Sequence, residues 1–424
     1  MAINETIILL TPFKDYSTHR LSKYISYLRL SVPFDVCFYQ PLQKIFSRVL
    51  LYDYLKRMVE VGVKSMNREV VQLVREEHPK FVLWVALGEY YEIQESTFDR
   101  IRKEGTKVVG WFLDDDVRFD YYSKWWAPYI DYFVTNDAEA VPKYQELGAW
   151  ATTAICTGAP ADRDWSKIEG KYDVSFVGSR RADRQQYLDE IEHKNLPFHL
   201  FGEGWGRFVS YEEMIDIFWA SKINLNFSKT YEFMKLGIKA RIFEVCLAGG
   251  FLLTEYFPGI EDYFEIDKEI VCFHNPEEMI DKVSYYLVHD EERRAIAQAG
   301  WKRATNEYTS FHMLSRVFQE IEEASTIGQK SNPKQLKMPG QIRRRISQYY
   351  YNLGEAFLLE NYKGLWRETY ALSIRYNPMK IRAWYHYILG FLPFAVRSSL
   401  IRLYRVLRYR KTKRIHKEPE VNNR

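Results

Sequence analysis

Two cations and a carboxylate lie close together in the stretch LGIKARIFEVCLAGGFLLT, residues 236–254. The pattern predicts a helix over about 239–248, preceded by a loop glycine and stopped by a glycine pair. The N–H groups and positive dipole end at the start of such a helix attract phosphate, and Lys239 and Arg241 add two positive charges there. Glu244, one turn further along, is placed to accept hydrogen bonds from ribose hydroxyls. The alternative is a surface ion pair between Arg241 and Glu244, worth only about 0.2–0.5 kcal/mol.

Two further loops have compositions suited to phosphate binding. After an apolar run, Gly178 leads into a helical segment with Arg181 and Arg184 near its start, which predicts a phosphate cradle. Gly202, in FGEGWG, belongs to a second glycine-rich turn. Solvated turns beside surface arginines explain both loops equally well. Neither has the spacing of a Walker loop or of a dinucleotide fingerprint, which argues against a nicotinamide-dependent oxidoreductase.

An acidic triplet ends the apolar run VVGWFLDDD, residues 108–116, and raises the question of a divalent-metal site. The triplet follows a strand of the first half of the chain, whereas the candidate phosphate-binding residues lie in the second. We therefore predict no metal site, and expect Asp114 and Asp115 to lie at a cleft, where the roles open to them are to orient the hydroxyls of a substrate, to start the next helix or to hold the loop. His19, in the loop after the first strand, is a candidate to face the same cleft, although a lone histidine is more often structural.

The elements that must position these residues follow from the alternation of short apolar runs with amphipathic stretches. Strands are predicted at 6–10, 35–39, 80–87, 107–113 and 132–135, and then at 172–178, 198–202, 223–227, 250–254 and 270–273. Helices are predicted at 21–30, 50–77, 239–248, 276–288 and 291–324. Because the strands at 80–87, 107–113 and 132–135 are continuously apolar, they should form a parallel sheet covered by helices on both faces, and the second series of strands and helices is most simply a second such domain. The prediction is an α/β protein with two Rossmann-like doubly wound domains, whose ligands bind beyond the carboxyl ends of the strands.

The predicted limits are residues 1–160 for the first domain, 161–325 for the second, 326–340 for a linker and 341–424 for a helical extension. Within the extension, Y-x-x-L-G-x-x-F from Tyr350, followed by Pro378, copies the spacing of a tetratricopeptide unit, although Trp366 stands where a small residue is expected. A degenerate helix hairpin and a chance match are both open.

Charge is unevenly distributed along the 424 residues, whose formal net charge is +4. Residues 397–424 hold ten Lys or Arg against two Glu, so the basic character belongs to a tail and a nucleic-acid surface across the body is not expected. Residues 398–414 include an amphipathic basic segment suited to an anionic membrane surface, with packing on the body or disorder as alternatives.

The cysteine count and the apolar windows point to a cytoplasmic setting. The four cysteines are scattered, which argues against a disulfide framework or a zinc site. The first residues lack a basic leader, and no apolar window is long enough to span a membrane, so neither a signal peptide nor a spanning helix is expected.

Several motifs in order resemble one enzyme family. KARIFEVCLAGGFLLTEYFPGIEDYFE, with VSFVGSRRADR, FHLFGEGW and INLNFS before it, looks like the C-terminal domain of group 1 glycosyltransferases of the CgeB-like (spore-maturation) kind. The resemblance covers about residues 171–324, is weaker in the first domain through KVVGWFLDDD and YFVTNDAEAVPKYQELGA, and leaves 326–424 outside. It implies a GT-B fold, in which the second of two Rossmann-like domains holds most of a nucleotide-sugar donor.

The resemblance also implies roles for residues. Glu244 matches the ribose-binding Glu, Lys239 and Arg241 match the helix start near the donor diphosphate, and Gly178 and Arg181 match the glycine and basic positions of the first loop. Many members have a second Glu eight positions before the ribose Glu, where this chain has Leu236. Glu232 lies nearby, but matching it needs a shifted register.

The activity implied is retaining and metal-independent transfer of a sugar from a nucleotide diphosphate sugar to a glycan, lipid-linked or protein acceptor. The donor is then a co-substrate, and no separate cofactor is expected. The enzyme would be cytoplasmic, with contact to the inner face of the membrane through the tail. The alternative is a catalytically silent scaffold that binds a sugar nucleotide or a glycan, which Leu236 and the tetratricopeptide-like segment favour.

Overall fold

The computed structural model describes most of the chain. The described residues are 3–13, 33–86, 91–161, 164–165, 170–180, 182–194, 196–202, 204–205, 209–228, 237–327, 336–360, 362, 364–392, 396, 398–400 and 403. None of the helices in this part of the chain is both long enough and apolar enough to cross a membrane.

The first half forms a six-stranded sheet with every neighbouring pair parallel. Its strands are β1 (Ile3–Leu10), β2 (Phe46–Tyr52), β3 (Phe81–Ala86), β4 (Lys107–Phe112), β5 (Tyr132–Thr135) and β6 (Trp150–Thr153), in the order β2-β1-β3-β4-β5-β6. The helices are α1 (Gln40–Ile45), α2 (Tyr54–Val61), α3 (Val63–Glu77), α4 (Glu95–Lys103), α5 (Asp115–Arg118) and α6 (Ala140–Glu146). All six residues of β3 are buried, as expected for a strand covered on both faces.

The predicted strand at 35–39 is wrong. Asp35–Tyr39 is a π-helical turn that runs into α1, and its Phe38 packs edge-on against Trp111 at 5.1 Å between ring centroids. The second strand is instead β2, an edge strand whose residues are largely half-buried or exposed. Its mixture of apolar and polar residues resembles that of a surface helix. The predicted helical stretch at 50–77 therefore begins too early, because its first residues belong to β2 and the helices begin at Tyr54. The predicted helix at 21–30 lies outside the described residues.

The second half forms a five-stranded parallel sheet. Its strands are β7 (Tyr172–Val177), β8 (Phe198–Phe201), β9 (Ser221–Asn226), β10 (Leu252–Glu255) and β11 (Val271–Phe273), in the order β11-β10-β9-β7-β8. Its helices are α7 (Ala182–His193), α8 (Tyr211–Ala220), α9 (Ala240–Leu247), α10 (Pro276–Val288) and α11 (Asp290–Glu307). Two doubly wound parallel sheets, the GT-B arrangement, are confirmed. The strand order reverses between β1 and β3 in one sheet and between β7 and β9 in the other, which are the usual places for a ligand.

The predicted helix at 291–324 is two helices, because the chain crosses between the domains at Thr309. The hydroxyl of Thr309 accepts a hydrogen bond from the backbone N–H of His312 at 3.3 Å and so caps α12 (Ser310–Thr326). The backbone of Ser310 is bonded to that of Gly158 in the other crossing segment at 2.7 Å. Phe318 of α12 then joins the core of the first sheet, 4.8 Å from the ring of Phe46.

The extension is a helix hairpin with a third helix, α13 (Gly340–Leu359), α14 (Leu365–Tyr376) and α15 (Ile381–Leu389). Side chains of α14 pack directly on the α13 backbone at Gly354, where an added Cβ would lie 2.8 Å from the Thr369 hydroxyl. This supports the hairpin interpretation of the tetratricopeptide-like spacing. The hairpin shares the core of the first domain, and the Tyr350 hydroxyl donates to the backbone oxygen of Tyr91 at 2.5 Å. The domain limits remain a prediction.

Candidate functional site

A cavity of about 650 Å³ lies where the carboxyl edges of the two sheets face each other. The first domain lines it with residues that follow β4 and β5, and the second with residues at the start of α9 and after β10. These are Asp116, Val117, Asn136, Asp137, Ala138, Glu139 and Lys143 on one side, and Gly237, Ile238, Lys239, Phe257, Pro258, Gly259, Asp262 and Tyr263 on the other. The volume is within the range of about 300–1,000 Å³ that small-molecule sites occupy.

Lys239 is the cation that the second domain presents to this cavity. It is the N-cap residue of α9 with an extended backbone, and no described side chain caps the helix start. Its Nζ lies 4.0 Å from Oδ2 of Asp116 across the cleft. The free N–H groups of the first turn and the lysine charge therefore act in the same place, as an anion site requires. The predicted helix at 239–248 is confirmed within one residue.

Arg241 is turned away from the cavity towards α8. Its guanidinium bonds Oε2 of Glu244 at 2.7 Å, contacts the Met214 sulfur, and lies 5.2 Å from the ring centroid of Phe218. Burial raises the pKa of Glu244, and the charge of Arg241 opposes that rise. Arg241 and Glu244 therefore form the ion pair of the alternative interpretation, but the pair is partly buried rather than at the surface. Their ribose and diphosphate roles remain predictions.

The loops after β7 and β8 pack directly on each other. The N–H of Gly178 donates to the Phe201 oxygen at 2.9 Å, and the Trp205 indole donates to the Gly178 oxygen at 2.9 Å. Gly202 has φ of 114°, and an added Cβ would lie only 2.6 Å from the Gly178 oxygen, so this position requires glycine. The glycines thus have a clear structural purpose, and neither lines the 650 Å³ cavity.

Arg184 braces the first of these loops. Its guanidinium donates to the Ser179 oxygen at 2.7 Å and lies 5.1 Å from the ring centroid of Phe176. Arg184 therefore supports the loop rather than lining the cavity. The other cation predicted for this loop, Arg181, lies outside the described residues, as do His19, Glu232 and Leu236.

The acidic triplet divides into three environments. Asp114 has a left-handed backbone, its N–H donates to the Asn136 side chain at 2.8 Å, and its carboxylate lies 3.3 Å from Arg118. Asp115 is buried inside the first domain, where it accepts the hydroxyl of Tyr144 at 2.8 Å and where burial raises its pKa to about 6. In this structure, Asp115 is not accessible to an acceptor.

Asp116, which was not among the predicted site residues, reaches the cavity. Burial raises the pKa of this carboxyl, while the facing Lys239 lowers it and Asp114 and Asp137 raise it further. The left-handed turn at Asp114 breaks the alternation of the strand, so the triplet alone does not reveal which carboxylate faces the cleft. Asn136 and Asp137 were not predicted either. Their position directly after β5 could have identified them, because residues that follow a parallel strand lie at the ligand-binding edge of the sheet.

Among the described residues, no group of three or more His, Cys, Asp or Glu side chains is placed to hold a metal ion. The acidic triplet does not form such a group, because its three carboxylates face different surroundings.

Comparison with known families gives one match. A family model described as "Glycosyl transferase-like" matches residues 180–319, less than half of the chain. The similarity to that family therefore lies mainly in the second sheet and its helices. A comparison with curated proteins finds no match.

Several solved structures are distantly similar. HepE from Anabaena in complex with UDP-glucose has 10% identity and a TM-score of 0.49, over 76% of this chain and all of that one. The pneumococcal O-GlcNAc transferase GtfA with UDP and GlcNAc has 13% identity and a TM-score of 0.43, over 62% and 60%. Sucrose-phosphate synthase from Thermosynechococcus elongatus has 7% identity and a TM-score of 0.45, over 77% and 99%. Likenesses this low carry no conclusion about what this chain binds.

Proposed function

We propose that the protein is a glycosyltransferase that moves a sugar from a nucleotide diphosphate sugar to an acceptor in the cleft between the two sheets. The observation that carries the proposal is the pairing of Lys239 with the uncapped start of α9 at the cavity, inside the segment that matches the glycosyltransferase family model. A nucleotide diphosphate is the ligand whose charge such a helix start attracts.

The chemistry follows from where negative charge develops. During transfer, the bond between the anomeric carbon and the β-phosphate oxygen breaks, and a new bond forms to the oxygen of an acceptor hydroxyl, whose proton passes to the departing diphosphate. Charge therefore grows on the departing diphosphate, and preorganised donors aimed at it lower the barrier. Lys239 and the N–H groups of α9 are such donors. Oδ2 of Asp116 lies 4.0 Å from Nζ of Lys239 and comes from the first domain, and our proposal assigns this carboxylate to the acceptor.

We further propose that the transfer is retaining, that the enzyme belongs to the CgeB-like subgroup, and that the acceptor is a glycan, a lipid-linked sugar or a protein. The motifs quoted for the resemblance support the first two. The basic tail, residues 398–414, supports a cytoplasmic enzyme that contacts the inner face of the membrane, although most of the tail lies outside the described residues. A thermal-shift screen of nucleotide diphosphates and their sugars would identify the donor, because a ligand of the native state raises its stability.

Glu244→Ala is expected to weaken binding of the nucleotide diphosphate found in that screen by about 10- to 100-fold, since hydrogen bonds to a charged group contribute about 1.5–3 kcal/mol. Calorimetric titration measures the affinity. Glu265→Ala is the matched control, because Glu265 forms an exposed i,i+3 pair with Lys268. If Glu244→Ala loses only thermal stability and binds the nucleotide normally, the ribose role is wrong.

Two outcomes of the donor assay separate an enzyme from a scaffold. Turnover of a sugar nucleotide by the unchanged protein, lost in Glu244→Ala, supports the transferase. If the protein binds the nucleotide tightly but neither hydrolyses the donor nor transfers its sugar to any class of acceptor offered, it is a catalytically silent scaffold.

Chelation is expected to leave donor turnover unchanged within about twofold, because the cations proposed to stabilise the leaving diphosphate are protein groups. The measurement compares rates before and after dialysis against EDTA. Loss of activity that Mg²⁺ or Mn²⁺ restores would contradict metal independence without affecting the assignment of Lys239.

A further inference from the structure

The outer face of helix α15 is apolar. The inner face buries Ala383, His386 and Leu389 against the hairpin. The opposite side carries four large apolar or aromatic side chains at the i, i+3, i+4 and i+7 spacing of one helical stripe, and a fifth follows in the turn after the helix. These are Ile381, Trp384, Tyr385, Ile388 and Phe391, with exposed fractions of 81%, 41%, 55%, 55% and 61%. A helix on the surface of a protein ordinarily shows polar residues on this side.

This outer face is held in place by contacts beneath it. The ring of His386 stacks on Tyr370 at 4.9 Å between centroids, and the Tyr370 hydroxyl donates to buried Glu355 at 2.6 Å. The Trp384 indole N–H donates to the Pro378 oxygen at 2.7 Å, so the polar atom of the ring is satisfied within the chain. The α15 outer face is therefore a fixed apolar surface that is suited to burial in an apolar environment.

The charge around this face is strongly positive. Among the described residues from 336 to 396, eight Lys and Arg stand against three Glu, whereas residues 1–335 of the sequence hold forty-one against fifty-one acidic residues. Arg382 lies on α15 itself, Lys380 directly precedes it, and the Arg367 guanidinium lies 4.1 Å from the ring centroid of Phe391. Cations bordering apolar and aromatic side chains are the composition of helices that lie in the interface of an anionic bilayer.

We propose that the α15 outer face inserts into the headgroup region of a membrane that contains anionic lipid. The inference goes beyond the proposed glycosyltransferase activity and does not rest on it. It also differs from the tail contact at 398–414, since it assigns the binding surface to a folded helix docked on the first domain. A second copy of the chain fits the face less well, because two such extensions would bring like charge together.

The test uses the full-length protein and co-sedimentation with vesicles of phosphatidylcholine alone or with about a third phosphatidylglycerol. We expect binding to the anionic vesicles, little to the neutral ones, and a loss of binding at high salt. Ile381→Gln with Ile388→Gln, both on the exposed stripe, is expected to lower the membrane partition coefficient by about tenfold or more. The reason is that the bound protein would then no longer bury these two apolar side chains in the lipid interface.

The matched control is Val288→Gln with Ile327→Gln, which removes two apolar side chains, 77% and 76% exposed, from elsewhere on the body. It should bind as the parent does. Equal binding of the α15 variant and the parent would overturn the proposal. The proposal would also be overturned if the parent protein formed a dimer that the α15 variant abolishes while its vesicle binding stays the same. A second copy of the chain would then cover the α15 outer face. Donor turnover in vesicle-free solution should be the same for all these proteins, so failure of this proposal is distinguishable from failure of the proposed activity.

Discussion

Lys239→Met should lower kcat/KM for the sugar-nucleotide donor by about 100- to 1,000-fold, the usual effect of removing one preorganised charge-stabilising donor. Methionine keeps most of the apolar length of the side chain and removes only the charge at the start of α9. The loss should appear mainly in kcat, because the lysine acts most strongly on charge that develops as the diphosphate departs. Steady-state kinetics with the donor from the thermal-shift screen provides the measurement.

Lys268→Met is the matched control for this substitution. Lys268 lies in the same domain and also has an acidic partner, Glu265, but it is largely exposed and does not line the cavity. Its activity should match that of the parent. If Lys239→Met retained activity within about threefold while folding normally, the charge at α9 would not stabilise the leaving group.

Glu92→Gln should remove a pH dependence of stability of about 3 kcal/mol. Glu92 is buried where the extension meets the first domain, and its side chain accepts the hydroxyl of Tyr349 from α13. Burial raises the pKa of this carboxyl from 4.5 to about 7, although the bond from Tyr349 opposes the rise. Its contribution to stability is therefore fully present below pH 4.5 and is lost as the pH rises through 7.

The glutamine variant should consequently be more stable than the parent at pH 8 and similar to it at pH 4.5, because it keeps an acceptor for Tyr349 and never ionises. The thermal unfolding midpoint at several pH values measures the difference between the two proteins. Other buried groups, such as Asp115 and His386, titrate equally in both and cancel. Glu76→Gln, at an exposed site on α3, is the control, and a parallel shift of both variants with pH would contradict the assignment to Glu92.

Much of the fold was predictable because buried parallel strands have a simple sequence pattern. The strands β3, β4 and β5 of the first sheet coincide with continuous apolar runs, and all five strands of the second sheet overlap the predicted ones. The edge strand β2 was missed because one face of an edge strand meets water, which gives Phe46–Tyr52 the mixed composition of a surface helix. The π-helical turn at Asp35–Tyr39 was read as a strand because five residues are too few to show a helical period.

The candidate site was predictable in part. Lys239 was expected at the start of α9, and the structure places it there, at the cavity. The cleft-facing member of the acidic triplet was not predictable, since a single left-handed residue, Asp114, sends Asp115 into the core and Asp116 towards Lys239. The direction of Arg241 also depended on a neighbour far away in sequence, Met214 on α8.

The order of apolar runs, glycine turns and a cation-bearing helix start was enough by itself to determine a two-domain parallel α/β protein and to locate the helix that we propose binds the donor diphosphate. These features depend on residues that are near one another in the chain. Local runs of apolar residues predict which strands are buried, and local turns and helix starts follow from backbone hydrogen bonding. Only the tertiary structure decided that Asp116 faces Lys239, that Glu92 is buried under α13, and that α15 presents an apolar side to solvent. Each of these depends on contacts between distant segments, and the environment of a side chain is set when those segments pack together.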